Sequence, residues 1–371
     1  MFVLGATPLE MGYLTAVGSL PALLFGLFAG VWVDRQQRRP LLVLADTGRG
    51  LLLLLIPLAA WFGLLQMGLL YGVIFLNGAL SLLFDAAYHA YLPSLVQRNH
   101  LLEANSKLAI SRSAAEMAGP TLAGWLTQVA TAPVAILVDA LSFLLSALFL
   151  SRIQQPEPAP MPRATGEPIL QEINAGLRLL LSNHNLRAIT ASTATVSFFN
   201  AAVEAIYLLY MTEYLKLSAG LIGFIFGAGS IGFLVGALLP NRVIARLGLG
   251  PTMLAGLVLL AVADFCLPLA TGPQPFVIAL LIAAQLCFGV SLTFYNVGQI
   301  SLRQAITPDH MLGRVNATLD FGVASLIPLG GLVGGLAGEW LGLRPTLLLA
   351  ATGELLAGLW LLFSPVRSLQ K

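Results

Sequence analysis

Eleven stretches of about twenty apolar residues run through this chain, at roughly 12–33, 41–62, 66–88, 105–128, 133–151, 187–210, 219–240, 250–270, 275–298, 313–337 and 344–364. A hydrocarbon layer of ~30 Å is crossed by a helix of about that length. Inside lipid no water satisfies an open strand's backbone, so runs this long and non-alternating fold as helices. The expectation is an all-α membrane protein with eleven transmembrane helices. Composition agrees: 57% of the residues are hydrophobic and 10% are charged, against about 25% charged in an ordinary soluble domain. Cys266 and Cys287 both fall inside apolar runs, which reads as two small hydrophobic side chains and not as a disulfide.

The charges are few but sorted. When successive loops are assigned to alternate sides, seventeen of the nineteen Lys and Arg residues collect on one side, leaving Lys216 and Arg344 on the other. The rich side is cytoplasmic by the positive-inside rule. This places the C-terminus in the cytoplasm and the chain in the cell (inner) membrane. The net charge of +2 gives no basis for nucleic-acid binding.

One long loop, 152–186, separates a first bundle (1–151, five spans) from a second (187–371, six spans). It opens with a Pro-rich stretch containing Pro156, Pro158, Pro160, Pro162 and Pro168, a composition that favours an extended, semi-rigid spacer. Leu170, Ile173, Leu177 and Leu180 then predict a short amphipathic helix on the inner membrane surface. The bundles read as copies. Leu101–Asn105 matches Leu312–Asn316, and at the same offset of 211 Gly119 matches Gly330 and Gly124 matches Gly335; Pro133 and Pro345 each open a closing span. An offset of that size fits a duplicated helix bundle of the kind transporters use.

After the first span the chain reads Gly30-Val-Trp-Val-Asp34-Arg35-Gln-Gln-Arg38-Arg39-Pro-Leu41. This resembles the signature loop of the major facilitator superfamily, which joins the second and third helices of that family on the cytoplasmic side. The resemblance implies a two-bundle fold in which Gly30, Asp34, Arg35, Arg38 and Arg39 act at the inner gate. Gly119-Pro120-Thr-Leu-Ala123-Gly124 is a partial match to the superfamily's antiporter motif, with Gly119, Pro120 and Gly124 in place; it implies export. Leu92-Pro93 through Leu101–Asn105, and Val138–Phe143, are similar to the subgroup of siderophore exporters and macrolide efflux pumps. The family has twelve helices, and Met1 stands where its first outer loop would be, so the resemblance implies that the first family helix is missing here, through either a start set too late or a true truncation. The second-half counterpart of the gate loop, Gly236–Arg242, lacks the acidic residue.

Ionisable residues at membrane depth are costly and are functional candidates by default. Glu204 is the first choice for a carboxyl that binds the coupling proton, with Asn200 and Tyr207 on its helix face; Asp139, Asp320 and Glu116 follow. Arg49 is placed to neutralise Asp46, as Arg112 is for Glu116. Asp264 and Glu354 also lie in spans. Asn77, Asn200, Tyr207, Gln285, Tyr295 and Asn296 are the polar candidates for lining a substrate cavity.

The sequence contains no Gly-Lys pair and hence no phosphate-binding loop of the ATP-driven pumps. Its four histidines are scattered and offer no metal site. No cofactor and no enzymatic activity are expected. The function expected is secondary active export of small amphipathic organic compounds, of drug or siderophore type, by proton antiport with alternating access, in a monomer whose partners are substrate, protons and lipid. The alternatives are a truncated or non-transporting membrane protein on the same fold, or an uptake symporter.

Overall fold

The computed structural model describes residues 4–33, 36–95, 101–154 and 177–368. Among these it contains helices and turns only. The elements are α1 (Pro8–Val33), α2 (Arg38–Trp61), α3 (Met67–Leu95), α4 (Leu101–Val129), α5 (Ala132–Ser151), α6 (His184–Leu209, continued by a π-helical turn Tyr210–Tyr214), α7 (Ala219–Leu238), the short α8 (Pro240–Leu247), α9 (Leu249–Leu269), α10 (Gln274–Ile306), α11 (Asp309–Trp340) and α12 (Leu343–Leu362). Ten of them are long and apolar enough to cross a membrane. The eleventh expected span, 105–128, is helical as part of α4, whose first half carries many side chains outside the described residues. The Pro-rich stretch and most of the predicted amphipathic segment fall within 155–176, also outside them; its end, 177–182, is helical.

Local chemistry sets several helix starts. At α1, Thr7 and Glu10 cap reciprocally: the Thr7 backbone N–H donates to Glu10 Oε2 at 2.9 Å, and the Glu10 N–H to Thr7 Oγ1 at 3.2 Å. This is a capping box, which satisfies two of the orphan donors of the first turn. At α6 the Asn183 side chain accepts from the N–H groups of Asn185 and Leu186. Gly248 (φ 91°) and Gly342 (φ 90°) turn the chain into α9 and α12 through the left-handed region, where a β-carbon is strained.

The repeat is legible in the helix boundaries. Moved by 211 residues, the start of α2 and the ends of α3 and α4 fall on the start of α9 and the ends of α10 and α11, and both ends of α5 fall on those of α12. Contacts repeat as well: α2 packs on α3 and α5, and α9 packs on α10 and α12.

The chain forms two compact units, one of Met1–Ala6, Ala16–Ala115 and Trp125–Gly166, the other of Thr7–Thr15, Glu116–Gly124 and Glu167–Lys371. In the first unit, Leu41, Leu42, Ala87 and Tyr91 are buried together. In the second, one cluster centres on Ile206, Tyr210, Met211, Ile225 and Leu281, and another on Ile189, Met253, Leu257 and Leu260. Between helices the interfaces are lined by glycine: Gly232 lies against Leu286 backbone, Gly256 against Ser291 and Tyr295, and Gly334 against Ala202. Lipid tails are as apolar as leucine, so close backbone approach is what drives association there. Large apolar side chains such as Leu145, Phe149, Phe224 and Leu348 are exposed, the surface that lipid solvates.

Candidate functional site

The gate loop is described in part. Gly30 lies in the last turns of α1, while Asp34 and Arg35 lie outside the described residues. Arg38 and Arg39 open α2. The Arg39 guanidinium donates from Nε to the Leu150 carbonyl at 3.2 Å and from Nη2 to the Ser151 carbonyl. These carbonyls lie in the last turn of α5, where the Leu150 oxygen also accepts from the Ile153 N–H at 3.3 Å, and a cation there suits the negative end of the helix dipole. The basic loop thus ties α2 to α5 within the first unit.

The antiporter-like segment belongs to the second unit. A β-carbon on Gly119 would meet nothing within 4 Å. Gly124 is different: its β-carbon would stand 2.5 Å from the Ala219 carbonyl oxygen and 2.8 Å from Gly223 Cα. Gly223 in turn abuts the Pro120 carbonyl and Gly124, and Thr121 Oγ1 donates to the Gly223 carbonyl at 3.3 Å. The same contact occurs a second time. Gly335 would place a β-carbon 2.8 Å from Gly12 Cα and from the Pro8 carbonyl oxygen, and Gly12 abuts the Gly331 carbonyl. Every participant maps onto its counterpart at the offset of 211: Pro8 on Ala219, Gly12 on Gly223, Pro120 on Gly331 and Gly124 on Gly335. It is a duplicated glycine clasp; Gly12 and Gly223 are the half of it that the sequence reading did not pick out, although the repeat offset points to them.

The carboxyls divide by exposure. Glu204 is exposed, the only exposed residue between Ala188 and Thr212. Asp139, close enough to Arg49 to feel its charge, is exposed on α5, and Asp320, which faces Arg303, is exposed on α11. The side chain of Glu116 lies outside the described residues. A carboxylate bordering hydrocarbon is costly, so the exposed acidic faces are those suited to water.

Three other acids are buried. Asp46 forms an ion pair with Arg49 and accepts from Ser146 Oγ at 2.5 Å. The Arg49 guanidinium lies between two rings, 4.3 Å from the centroid of Phe84 and 4.5 Å from that of Phe143, a favourable place for a cation. Asp264 on α9 and Glu354 on α12 lie against each other, with Asn200 of α6 beside Glu354.

Of the polar candidates, Tyr207 and Tyr295 stand in the close-packed interior of the second unit. Gln285 Nε2 donates to the Tyr207 hydroxyl at 3.3 Å, and the Tyr295 hydroxyl shares a 2.8 Å hydrogen bond with Thr193 Oγ1. Asn77, Asn200, Gln285 and Asn296 are half-buried, and Asn77 Oδ1 has no hydrogen-bond partner. A cleft of about 460 Å³ in the second unit, lined by Tyr214, Lys216, Thr271 and Gln274, lies apart from these groups.

Membrane-crossing helices in a duplicated order, glycine-lined crossings and a few acids at membrane depth define a polytopic membrane transporter of the major facilitator superfamily. Within it, the chain belongs to the Transmembrane secretion effector family, whose model matches residues 1–371. Its relatives include the MFS-type transporter YfiS of Bacillus subtilis (strain 168), 24% identical over 96% of this chain and 85% of that protein. Macrolide efflux protein A of Streptococcus pyogenes is 21% identical over 91% and 82%. The enterobactin exporter EntS of Escherichia coli is 28% identical over 80% and 69%. Among solved structures, the nucleoside transporter NupG matches with a TM-score of 0.76 at 12% identity over 96% of this chain and 90% of that one. A bacterial homologue of the iron transporter ferroportin, in an inward-facing state, matches with 0.73 at 19% over 96% and 90%. At those identities the structural matches speak for the fold.

Proposed function

We propose that the protein exports small amphipathic organic compounds, of drug or siderophore type, across the cell (inner) membrane in exchange for protons, with its C-terminus in the cytoplasm. The direction and cargo class rest on the export and efflux relatives that cover most of the chain. The observation that carries the exchange mechanism is Glu204, an exposed carboxyl in a membrane helix whose neighbouring residues from Ala188 to Thr212 are all buried or half-buried. Such a group needs water beside it and is placed to gain and lose a proton. Asp139 and Asp320 are the next candidates. Asn77, Asn200, Gln285 and Asn296 supply polar contacts for cargo, while Tyr207 and Tyr295 brace the helices that present them.

Transport proceeds by alternating access, in which bundles rock about a site near the midplane. A proton taken by Glu204 from outside offsets the cost of exposing the cargo site, and its release inside resets the carrier. Gly30, Asp34, Arg35, Arg38 and Arg39 act at the inner gate. The test is transport in vesicles under an imposed pH gradient. Glu204→Gln is expected to abolish pH-driven movement while leaving counterflow of cargo intact; full pH-driven transport by that variant overturns the assignment.

A further inference from the structure

Glu354 is 0% and Asp264 is 5% exposed. Glu354 sits eleven residues into α12, about 16 Å along a helix that rises 1.5 Å per residue, near the middle of the bilayer. The two carboxyls lie against each other, yet neither oxygen of Glu354, nor Oδ2 of Asp264, completes a hydrogen bond of ordinary geometry.

Among the described residues no cation stands beside them. Arg344 of α12 is held elsewhere, donating from Nε and Nη2 to the Pro268 carbonyl and from Nη1 to the Tyr214 hydroxyl. Arg187 of α6 and Arg303 of α10 lie toward the opposite ends of their helices. The other titratable groups on the surrounding helices are His184, Glu204, Tyr207, Tyr210, Glu213 and Tyr214 of α6 and its π-helical turn, Cys266 of α9, Cys287 and Tyr295 of α10, and Asp309, His310, Arg314, Asp320 and Glu339 of α11. The basic ones belong to helix ends: His184 opens α6, sixteen residues before Asn200, and His310 and Arg314 fall in the first two turns of α11. Two carboxylates side by side in a dry interior repel each other and each forfeits its hydration, so the pair cannot hold two negative charges. A single proton between them relieves both penalties and gives the unpartnered oxygens a donor.

We propose that Asp264 and Glu354 form a proton-binding site inside the second unit, the two carboxyls sharing one proton that is taken up and released with pH. Asn200 touches Glu354 and is one helical turn from the exposed Glu204, which supplies a route between the buried pair and water. The site's part in transport rests on the exchange mechanism above; its existence does not.

Infrared difference spectroscopy of the full chain in lipid, between acidic and alkaline pH, tests it. The expected result is a protonated-carboxyl C=O band that titrates, survives in Glu204→Gln and disappears in the double variant Asp264→Asn/Glu354→Gln. A wild-type protein without such a band, or a band untouched by the double variant, overturns the proposal. If the double variant fails to fold, dicyclohexylcarbodiimide, an apolar reagent that modifies protonated carboxyls, is applied to the wild type across pH and the adduct mapped by peptide mass spectrometry. Modification at Asp264 or Glu354 that falls as pH rises supports the site, and modification confined to Glu204 refutes it. In Asp264→Asn the pH profile of Glu354 modification changes, because its deprotonation no longer competes with a second charge. Wild-type vesicles that show no pH-driven transport would remove the exchange mechanism and leave the infrared result to decide the site.

Discussion

The glycine clasp makes the sharpest demand on the sequence. An alanine at 124 would set its β-carbon 2.5 Å from the Ala219 carbonyl oxygen, and one at 335 would set its own 2.8 Å from Gly12 Cα, where ordinary contact begins at 3.4 Å. The atoms met are backbone and cannot rotate away, so the helices must part by about 0.6 to 0.9 Å, the difference between those distances. Gaps of that size forfeit a quarter to a half of the dispersion energy of each contact across the crossing. Overpacking typically costs about 1–3 kcal/mol. At about 1.4 kcal/mol per tenfold, each alanine should shift the equilibrium away from the clasped state by roughly 5- to 140-fold. Gly119→Ala is the matched control, since its β-carbon enters open space on the same helix. Ala16, buried and one turn from Gly12, is replaced by cysteine in a background lacking Cys266 and Cys287, and its reaction with a membrane-impermeant maleimide is timed. Gly124→Ala and Gly335→Ala should each speed labelling within that range and slow transport, and Gly119→Ala should do neither. Labelling and transport at parental rates in the Gly124→Ala/Gly335→Ala double variant would refute the idea that these crossings control conformation.

Other outcomes follow from individual contacts. Arg49→Ala leaves Asp46 buried without its cation and should cost about 3–5 kcal/mol, read as a fall in Tm in detergent, with recovery in Asp46→Asn/Arg49→Met. Asn183→Ala removes the acceptor for two N–H groups at the start of α6 and should cost about 0.5–2 kcal/mol, read in the same melts with no change in transport per folded molecule. Asp34→Asn should lower the transport rate without lowering the yield of folded protein in the membrane.

Much of this architecture is written locally, which is why the sequence discloses it. Span length depends on composition over windows of about twenty residues, a scale the bilayer itself imposes. The repeat offset, visible in Gly119/Gly330 and Gly124/Gly335, holds for helix ends as well. Carried back to the start of the chain it would have exposed Gly12 and Gly223, but nothing local marks those two among 37 glycines. The Asp46–Arg49 pair lies within one helix turn and was legible; Ser146, a hundred residues away, was not. Periodicity does not say which neighbour a helix face meets, so the hydrogen bonds of Tyr207 with Gln285 and of Tyr295 with Thr193 are not legible in it. The pairing of Asp264 with Glu354 is a tertiary fact between α9 and α12, so in the sequence each is one more isolated acid in an apolar run.

The repeat sharpens the contrast between buried acids. The crossing of α2 with α5 and that of α9 with α12 are the same crossing in two copies. In the first, the acid Asp46 is answered on its own helix by Arg49 and across the interface by Ser146. In the second, Asp264 meets another acid, Glu354, and no cation among the described residues. An ion pair supplied with rings and a hydroxyl holds its charge state, and a pair of carboxyls without a cation holds its place only by gaining or losing a proton. The acids are not counterparts, since at the offset of 211 Asp46 falls on Leu257 and Asp264 on Leu53; the same crossing carries a strut in one copy and, on the proposed reading, the proton site in the other. Installing the strut chemistry there, by Glu354→Ser together with Leu267→Arg, which puts a cation three residues along α9 as Arg49 follows Asp46, should give a protein whose pH-titrating carboxyl band is gone. If the band persists unchanged in that variant, the two crossings do not differ in the way their side chains indicate.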